Sequence, residues 1–154
     1  MRYLTVLAGL GALLVFSAKA QTEKPNFAGS WQMSPAQTRV SNGGTFLLWM
    51  KVEQQGADIH VSRGWKGADG NEVVTDVRCK TNGDDCAVNG GTVSFYYSGS
   101  LLTELEVAGD SIVKRIWSLD AACRFLNLEV RHVAPAATAD LFVMDKAGVV
   151  PVTF

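Results

Sequence analysis

Apolar residues recur at every second position along most of this chain, and this period restricts the fold more than any other feature. The clearest examples are Phe46–Glu53, Thr92–Tyr97 and Phe125–His132. Because successive side chains of a β-strand point to opposite faces, a period of two predicts half-buried strands. The same character is found in Ala28–Met33, Asp58–Arg63, Glu72–Lys80, Leu101–Val107, Ser111–Leu119 and Ala139–Lys146.

Short clusters of glycine, asparagine and aspartate separate these segments. Strands joined by such turns form a meander of antiparallel hairpins. A closed barrel is favoured over a two-sheet sandwich because closure removes exposed edges. The sequence therefore predicts an all-β, antiparallel up-and-down β-barrel of about eight to ten strands. One helical turn is predicted at Ser34–Gln37, and the hairpin turns are predicted at residues 42–44, 55–57, 68–71, 82–84, 89–91, 98–100 and 108–110.

The first twenty residues have the three parts of a secretory signal peptide. Arg2 provides a positive start, Leu4–Phe16 is apolar, and Ala18-Lys19-Ala20 has the small-residue pattern of a cleavage site. The apolar run is shorter than the roughly 20 residues that cross a bilayer. We therefore expect residues 1–20 to be a signal peptide cleaved after Ala20, residues 21–154 to form one barrel domain, and the protein to be secreted or periplasmic.

Charge and composition exclude several classes of protein. The chain has 14 lysines and arginines, 15 aspartates and glutamates and 47% hydrophobic residues, which is the composition of a folded globular chain. Loss of residues 1–20 removes Arg2 and Lys19 and changes the formal net charge from −1 to −3. A mild negative charge disfavours nucleic acid and anionic lipid as partners.

The segment Asn26-Phe27-Ala28-Gly29-Ser30-Trp31 resembles the opening of the calycin superfamily, which includes the lipocalins and fatty-acid-binding proteins. In that superfamily G-x-W begins the first barrel strand. The segment is most similar to small secreted bacterial proteins with a lipocalin-like barrel, which open with N-F-x-G-x-W and a short x-P-A turn, here Ser34-Pro35-Ala36. No second lipocalin motif is present, so no ligand-binding subfamily is implied.

This motif has a structural role that can be stated in physical terms. Gly29 allows the first strand to approach a crossing chain closely, and the Trp31 indole closes one end of the barrel and donates to a backbone acceptor. In lipocalins an arginine from a late strand lies over this indole. Arg131 and Arg124 are the candidates, and Arg131 is preferred because it lies within a predicted strand.

The chain has three cysteines, Cys79, Cys86 and Cys123. In an oxidising compartment a hairpin over the six intervening residues would bring Cys79 and Cys86 into bonding range. We favour this disulfide, with Cys79–Cys123 and Cys86–Cys123 as the rival pairings. Cys123 would then remain as a free thiol, buried or in a turn, or would pair between molecules.

No catalytic constellation is visible in the sequence. His60 and His132 have no metal-ligand spacing, and the glycine-rich turns do not precede helices that could hold a phosphate. We therefore expect no enzyme activity, no metal and no cofactor. An enzyme that uses His132 as an acid or base is a hypothesis without local support in the sequence.

Two other functions are compatible with such a barrel. The first is binding of a small hydrophobic or amphipathic ligand among interior aromatic residues. The alternative is a non-catalytic envelope interaction domain with a filled barrel, for which Trp65 in a predicted loop is the best exposed anchor. A membrane-embedded barrel, suggested by Val152–Phe154, is disfavoured because charged residues are predicted on the face opposite the apolar one, namely Lys51, Glu53, Glu104, Glu106, Lys114 and Arg115. The predicted ligand-binding residues are Trp49, Phe95, Tyr97, Trp117 and Phe125.

Overall fold

The computed structural model describes residues 23–41 and 45–148, which form ten β-strands. The predicted signal peptide and Val152–Phe154 lie outside the described residues. None of the described residues belongs to a helix that could cross a membrane. The strands are β1 (Gly29–Met33), β2 (Phe46–Gln55), β3 (Asp58–Lys66), β4 (Glu72–Lys80), β5 (Asn82–Val88), β6 (Gly91–Ser98), β7 (Leu101–Ala108), β8 (Ser111–Leu119), β9 (Phe125–Ala134) and β10 (Thr138–Lys146).

All ten strands belong to one antiparallel sheet with the order β4-β3-β2-β1-β10-β9-β8-β7-β6-β5. The first strand pairs with the last, with Trp31 opposite Lys146 and Met33 opposite Met144. The sheet therefore curls into a barrel whose two edges, β4 and β5, are consecutive in the sequence. The predicted all-β, antiparallel up-and-down barrel is confirmed. We call the boundary between β4 and β5, which has no strand pairing, the seam.

The sequence pattern predicts nine of the ten strands and misses β5. It predicts a turn at residues 82–84, where the structure has the beginning of a strand. β5 is polar, and its register with β6 shifts between Asn82 and Asp85. Because β5 is an edge strand beside the seam, several of its side chains are exposed and no alternating apolar pattern is required.

A β-bulge in β2 changes which of its side chains face the core. The register with β3 shifts between Leu47 and Trp49. Leu47 and Met50 are consequently buried, whereas Phe46 is 44% exposed. The simple alternation predicted Phe46 and Met50 on the same face, and the extra residue at the bulge explains the difference.

The segment that precedes β1 closes one end of the barrel. Phe27 is fully buried, and its ring lies 5.7 Å from that of Trp117 and 6.5 Å from that of Tyr97. The Trp31 indole N–H donates to the Phe27 carbonyl at 3.1 Å, and the Phe27 amide donates to Gln54 Oε1 at 2.9 Å. These contacts hold the Phe27 ring inside the barrel as a plug.

The cation over the Trp31 ring is Lys146, with its Nζ 5.6 Å from the ring centroid. This differs from the expectation for Arg131. Lys146 is the cross-strand neighbour of Trp31 and projects to the same face, whereas Arg131 is exposed and pairs with Glu129 at 2.6 Å. Arg124, the other candidate, lies over Phe125. The cation therefore comes from the last strand, but it is an ammonium group.

The disulfide between Cys79 and Cys86 joins β4 to β5 across the seam, with the two Cα atoms 5.7 Å apart. The predicted pairing is confirmed. Cys123 is a free, exposed cysteine in the turn before β9. The disulfide therefore adds a second covalent link, besides the backbone at Thr81, between two strands that are not paired.

We expect the double substitution Cys79→Ser and Cys86→Ser to lower the free energy of unfolding by about 2 kcal/mol, because it removes a short cross-link from the unfolded chain. Urea denaturation monitored by tryptophan fluorescence measures this change. Cys123→Ser is the matched control and should leave the free energy of unfolding unchanged. Equal stability of the double variant and the control would show that the bridge does not stabilise the seam.

Candidate functional site

A carboxylate is buried at the centre of the barrel. Glu104 is fully buried and accepts hydrogen bonds from both terminal nitrogens of Arg63, at 2.9 and 2.5 Å. It also accepts from Arg115 Nη1 at 2.9 Å and from the Trp117 indole at 3.1 Å. Arg115 Nη1 donates in addition to Glu106 at 2.6 Å. We call Arg63, Glu104, Glu106 and Arg115 the charge cluster.

The register of the strands brings this cluster together. Glu104 on β7 lies opposite Arg115 on β8, and Glu106 follows Glu104 on the same face of β7. Arg63 reaches them from β3 on the far wall. The cluster overturns the prediction that Glu104, Glu106 and Arg115 face away from the core. The charged face of β7 points inward because each charge has a partner there, while Val107 is on the exposed face.

The pKa values show how strongly these charges depend on one another. Burial alone would raise the pKa of Glu104, but the charges of Arg63 and Arg115 outweigh it and hold that pKa below its usual value. Burial lowers the pKa of Arg63, while Glu104 opposes this change. For Arg115, the nearby Glu104 and Glu106 outweigh burial and raise the pKa. The opposite charges within the cluster therefore counteract the effect of burial on each of these three groups.

Aromatic rings support both guanidinium groups. Arg63 lies 5.4 Å from the centroid of the Trp117 ring, and Arg115 lies 5.8 Å from that of Trp65. Trp65 in turn packs edge-on against Phe142 at 6.0 Å. The sequence predicted Trp65 in an exposed loop. Instead it lies on β3, is partly buried, and belongs to the inner wall of the barrel.

A cavity of about 370 Å³ lies beside the charge cluster and reaches the surface at the seam. Its volume is within the range of about 300 to 1,000 Å³ that is typical of small-ligand pockets. Thr75, Glu106, Arg63 and Arg115 provide polar groups on its wall. The apolar lining residues are Trp65, Val73, Val74, Val77, Val88 and Val93.

A larger depression of about 740 Å³ lies around the β2–β3 hairpin and the end of β4. It is more open to solvent than the cavity at the seam, and its rim carries Glu53, Asp58, His60 and Arg78. A shallow charged depression buries little of a ligand's surface. We therefore regard the smaller, more enclosed cavity as the candidate site.

The five aromatic residues predicted to bind ligand are not assembled around this cavity. Phe95 and Trp117 are fully buried and pack edge-on at 6.1 Å, and Tyr97 contacts the Phe27 plug. Trp49 lies on the outer face, where its indole donates to Glu72 at 2.6 Å. Phe125 lies beneath Arg124, also on the outer face. The structure therefore brings together Phe95, Tyr97 and Trp117, beside the Phe27 plug, and leaves Trp49 and Phe125 apart from them.

The two histidines lie outside the charge cluster. His60 Nδ1 lies 3.1 Å from Glu53, and its Nε2 lies 2.6 Å from Asp76. Hydrogen bonds from Ser62 and His60 lower the pKa of Asp76. Across residues 23–41 and 45–148, no group of three or more histidines, cysteines or carboxylates is arranged to hold a metal ion.

The sequence matches no protein-family model and no curated protein. The structure is similar to the fluorescent protein UnaG, with a TM-score of 0.58, 11% identity and coverage of 79% of this chain and 97% of UnaG. It is similar to fatty-acid-binding protein 1 of Echinococcus granulosus, with a TM-score of 0.55, 9% identity and coverage of 79% and 97%. The structure is also similar to a SAHS protein of Ramazzottius varieornatus, an abundant heat-soluble protein. The TM-score is 0.58, the identity is 12%, and the alignment covers 83% of this chain and 100% of that protein.

These likenesses concern the fold, because the sequence identities are low. They show that the chain has a calycin-like β-barrel fold. The closer resemblance to small secreted bacterial proteins stays a prediction.

We expect Glu104→Gln to lower the free energy of unfolding at pH 7 by about 3 kcal/mol or more, because two buried guanidiniums lose their shared counter-charge. The pKa of Glu104 in the folded protein is below the usual pKa of a glutamate. The ionised carboxylate therefore stabilises the fold fully at pH values above the usual pKa, and this stabilisation is lost as the pH falls through the folded-state pKa. Urea denaturation from pH 7 down to about pH 3 should therefore show a shallower acid-dependent loss in the variant.

Glu129→Gln is the control, since Glu129 forms an exposed ion pair with Arg131. It should change the free energy of unfolding by less than about 1 kcal/mol. If both variants were equally stable, the buried carboxylate would not be a structural centre.

Proposed function

We propose that this protein binds a small hydrophobic or amphipathic molecule in the cavity at the seam. The observation that carries the proposal is a partly enclosed space of about 370 Å³ whose wall combines apolar side chains with polar groups, among them Asn89, Glu106 and Arg115. Valines from β4, β5 and β6 would contact an apolar group, while Thr75, Glu106 and Arg115 would orient a polar one. Most ligand pockets combine these two kinds of surface.

The comparisons support a binding protein over an enzyme at the level of structural neighbours. One of the similar structures is a Schistosoma mansoni fatty-acid-binding protein in complex with arachidonic acid, with a TM-score of 0.56 and 10% identity. This shared fold accommodates a lipid in that protein. In our proposal the chain described here uses the same kind of interior for a smaller molecule, without a cofactor and without catalysis.

A filled barrel that binds another protein is the alternative. It is favoured by the adjacent valines Val73 and Val74 at the start of β4, each of which is 59% exposed. Two exposed apolar side chains at one edge of a sheet could contact a partner. Val73 also lines the cavity, so the same exposure fits an entrance for a small molecule.

Val88→Trp should abolish or weaken ligand binding at least about tenfold, because the larger side chain occupies the cavity and blocks its entrance. Ala87→Trp is the matched control: Ala87 is the preceding residue on β5, is exposed, and does not line the cavity. The neutral fluorophore 1-aminoanthracene can serve as the probe, with binding measured by its increase in emission. Equal binding by both variants, or no binding by the unmodified protein, would contradict the proposed site.

We also propose that the protein is secreted or periplasmic and that its mature chain begins at Gln21. The Cys79–Cys86 disulfide supports an oxidising compartment. Expression of the full chain in a bacterium, followed by intact mass measurement of the periplasmic fraction, tests this directly. The expected mass corresponds to residues 21–154 with one disulfide, and retention of residues 1–20 in the cytoplasm would contradict the proposal.

A further inference from the structure

We propose that the cavity selects an uncharged polar head group that both donates and accepts hydrogen bonds, such as a primary carboxamide, over a carboxylate or an ammonium ion. This inference rests on the proposed function and adds the chemical class of the ligand. It follows from the charge cluster, whose two arginines and two glutamates form a closed set of ion pairs.

The first step concerns the arginines. Two interior guanidiniums would by themselves attract an anion, but Glu104 already lies between them and accepts from both. Both terminal nitrogens of Arg63 are committed to Glu104. Glu106 takes a further hydrogen bond from Arg115. The cluster therefore has no excess positive charge to compensate a buried carboxylate.

The second step concerns the groups that remain for a ligand. Both side-chain hydrogen bonds that Arg115 donates within the described part of the chain leave from Nη1, one to Glu104 Oε1 and one to Glu106 Oε2. Arg115 and Glu106 both line the cavity, and the Glu106 side chain is 35% exposed. Arg115 Nη2 can therefore donate to a ligand, and Glu106 Oε1 can accept from it.

The third step is the cost of a charged ligand. An ion that enters a partly enclosed site loses hydration and must gain an opposite charge in return. Here a carboxylate would approach Arg115 but also Glu106, and an ammonium ion would meet the same opposition in reverse. An uncharged amide uses the donor and the acceptor without adding net charge.

One further ionisable residue, Asp76, contributes to the cavity wall. Its carboxylate accepts hydrogen bonds from Ser62 and lies 2.6 Å from His60 Nε2 on the outer face of the barrel. Its charge is therefore directed to solvent-exposed partners. It does not change the balance at the inner end of the cavity.

The test uses the mature protein with its disulfide intact and three unbranched probes of eight carbons each: octanamide, octanoate and octylamine. Each displaces 1-aminoanthracene at pH 7, and the dissociation constants are compared. Octanamide should bind at least about tenfold more tightly than either charged probe. A charged probe that binds as tightly as octanamide would overturn this inference and leave the proposed function standing. Failure of 1-aminoanthracene and all three probes to bind would overturn both.

Substitution of Glu106 provides a second, independent test of the charge balance at the cavity. Glu106→Gln leaves one uncompensated positive charge at the cavity, so the affinity for octanoate relative to octanamide should rise about tenfold. Glu53→Gln, on the outer face beside Lys51 and His60, is the control and should leave both affinities unchanged. An unchanged ratio in a folded Glu106→Gln protein, verified by circular dichroism, would contradict the role of charge balance.

Discussion

Glu104 is buried between two guanidinium groups, and a carboxylate in that position is stable only while both remain in place. Arg63 comes from β3 and Arg115 from β8, so the carboxylate links opposite walls of the barrel. The cost of separating these charges inside the protein is much larger than for surface pairs. The cluster therefore fixes the distance between the two walls and, with it, the shape of the space between them.

The interior has two parts with different physical properties. In one part, Phe27, Phe95 and Trp117 are packed in contact and no exposed surface is left on them. In the other part, the charge cluster forms a hydrogen-bonded wall of the cavity, and the valines of β4, β5 and β6 also line it. Hydrogen-bonded ionic groups have defined partners and geometry, whereas apolar side chains are held by close packing.

The fold could be predicted from the sequence more completely than the site. Alternation and turn residues predict nine strands because they reflect local backbone geometry. The spacing of Cys79 and Cys86 also predicts the disulfide, because six intervening residues keep the two cysteines close, although β4 and β5 do not pair as a hairpin. The charge cluster depends on partners from β3, β7 and β8, and no local pattern in the sequence identifies which charges will meet.

One signal in β7 and β8 could have indicated the cluster. Glu104 and Glu106 alternate on one face of β7, and Arg115 occurs at the position that a tight hairpin places opposite Glu104. Assigning charges to the solvent face assumes that each is solvated alone. The expectations for Trp49 and Trp65 differ from the structure for other reasons. Trp49 shares the outer face of β2 with Lys51, as alternation places it, and Trp65 lies on β3 because that strand extends beyond Arg63 to Lys66.

The pairing of β1 with β10 has a consequence for how the barrel forms. These strands are more than a hundred residues apart in sequence, as the pairing of Trp31 with Lys146 shows. Chain closure over such a span is entropically costly and slow compared with hairpin formation. β1 can pair with β2 as soon as that hairpin forms, whereas its other edge stays open until β10 is in place. Until then the unpaired edge of β1 can pair with another chain, so the step that closes the barrel also removes a site of aggregation.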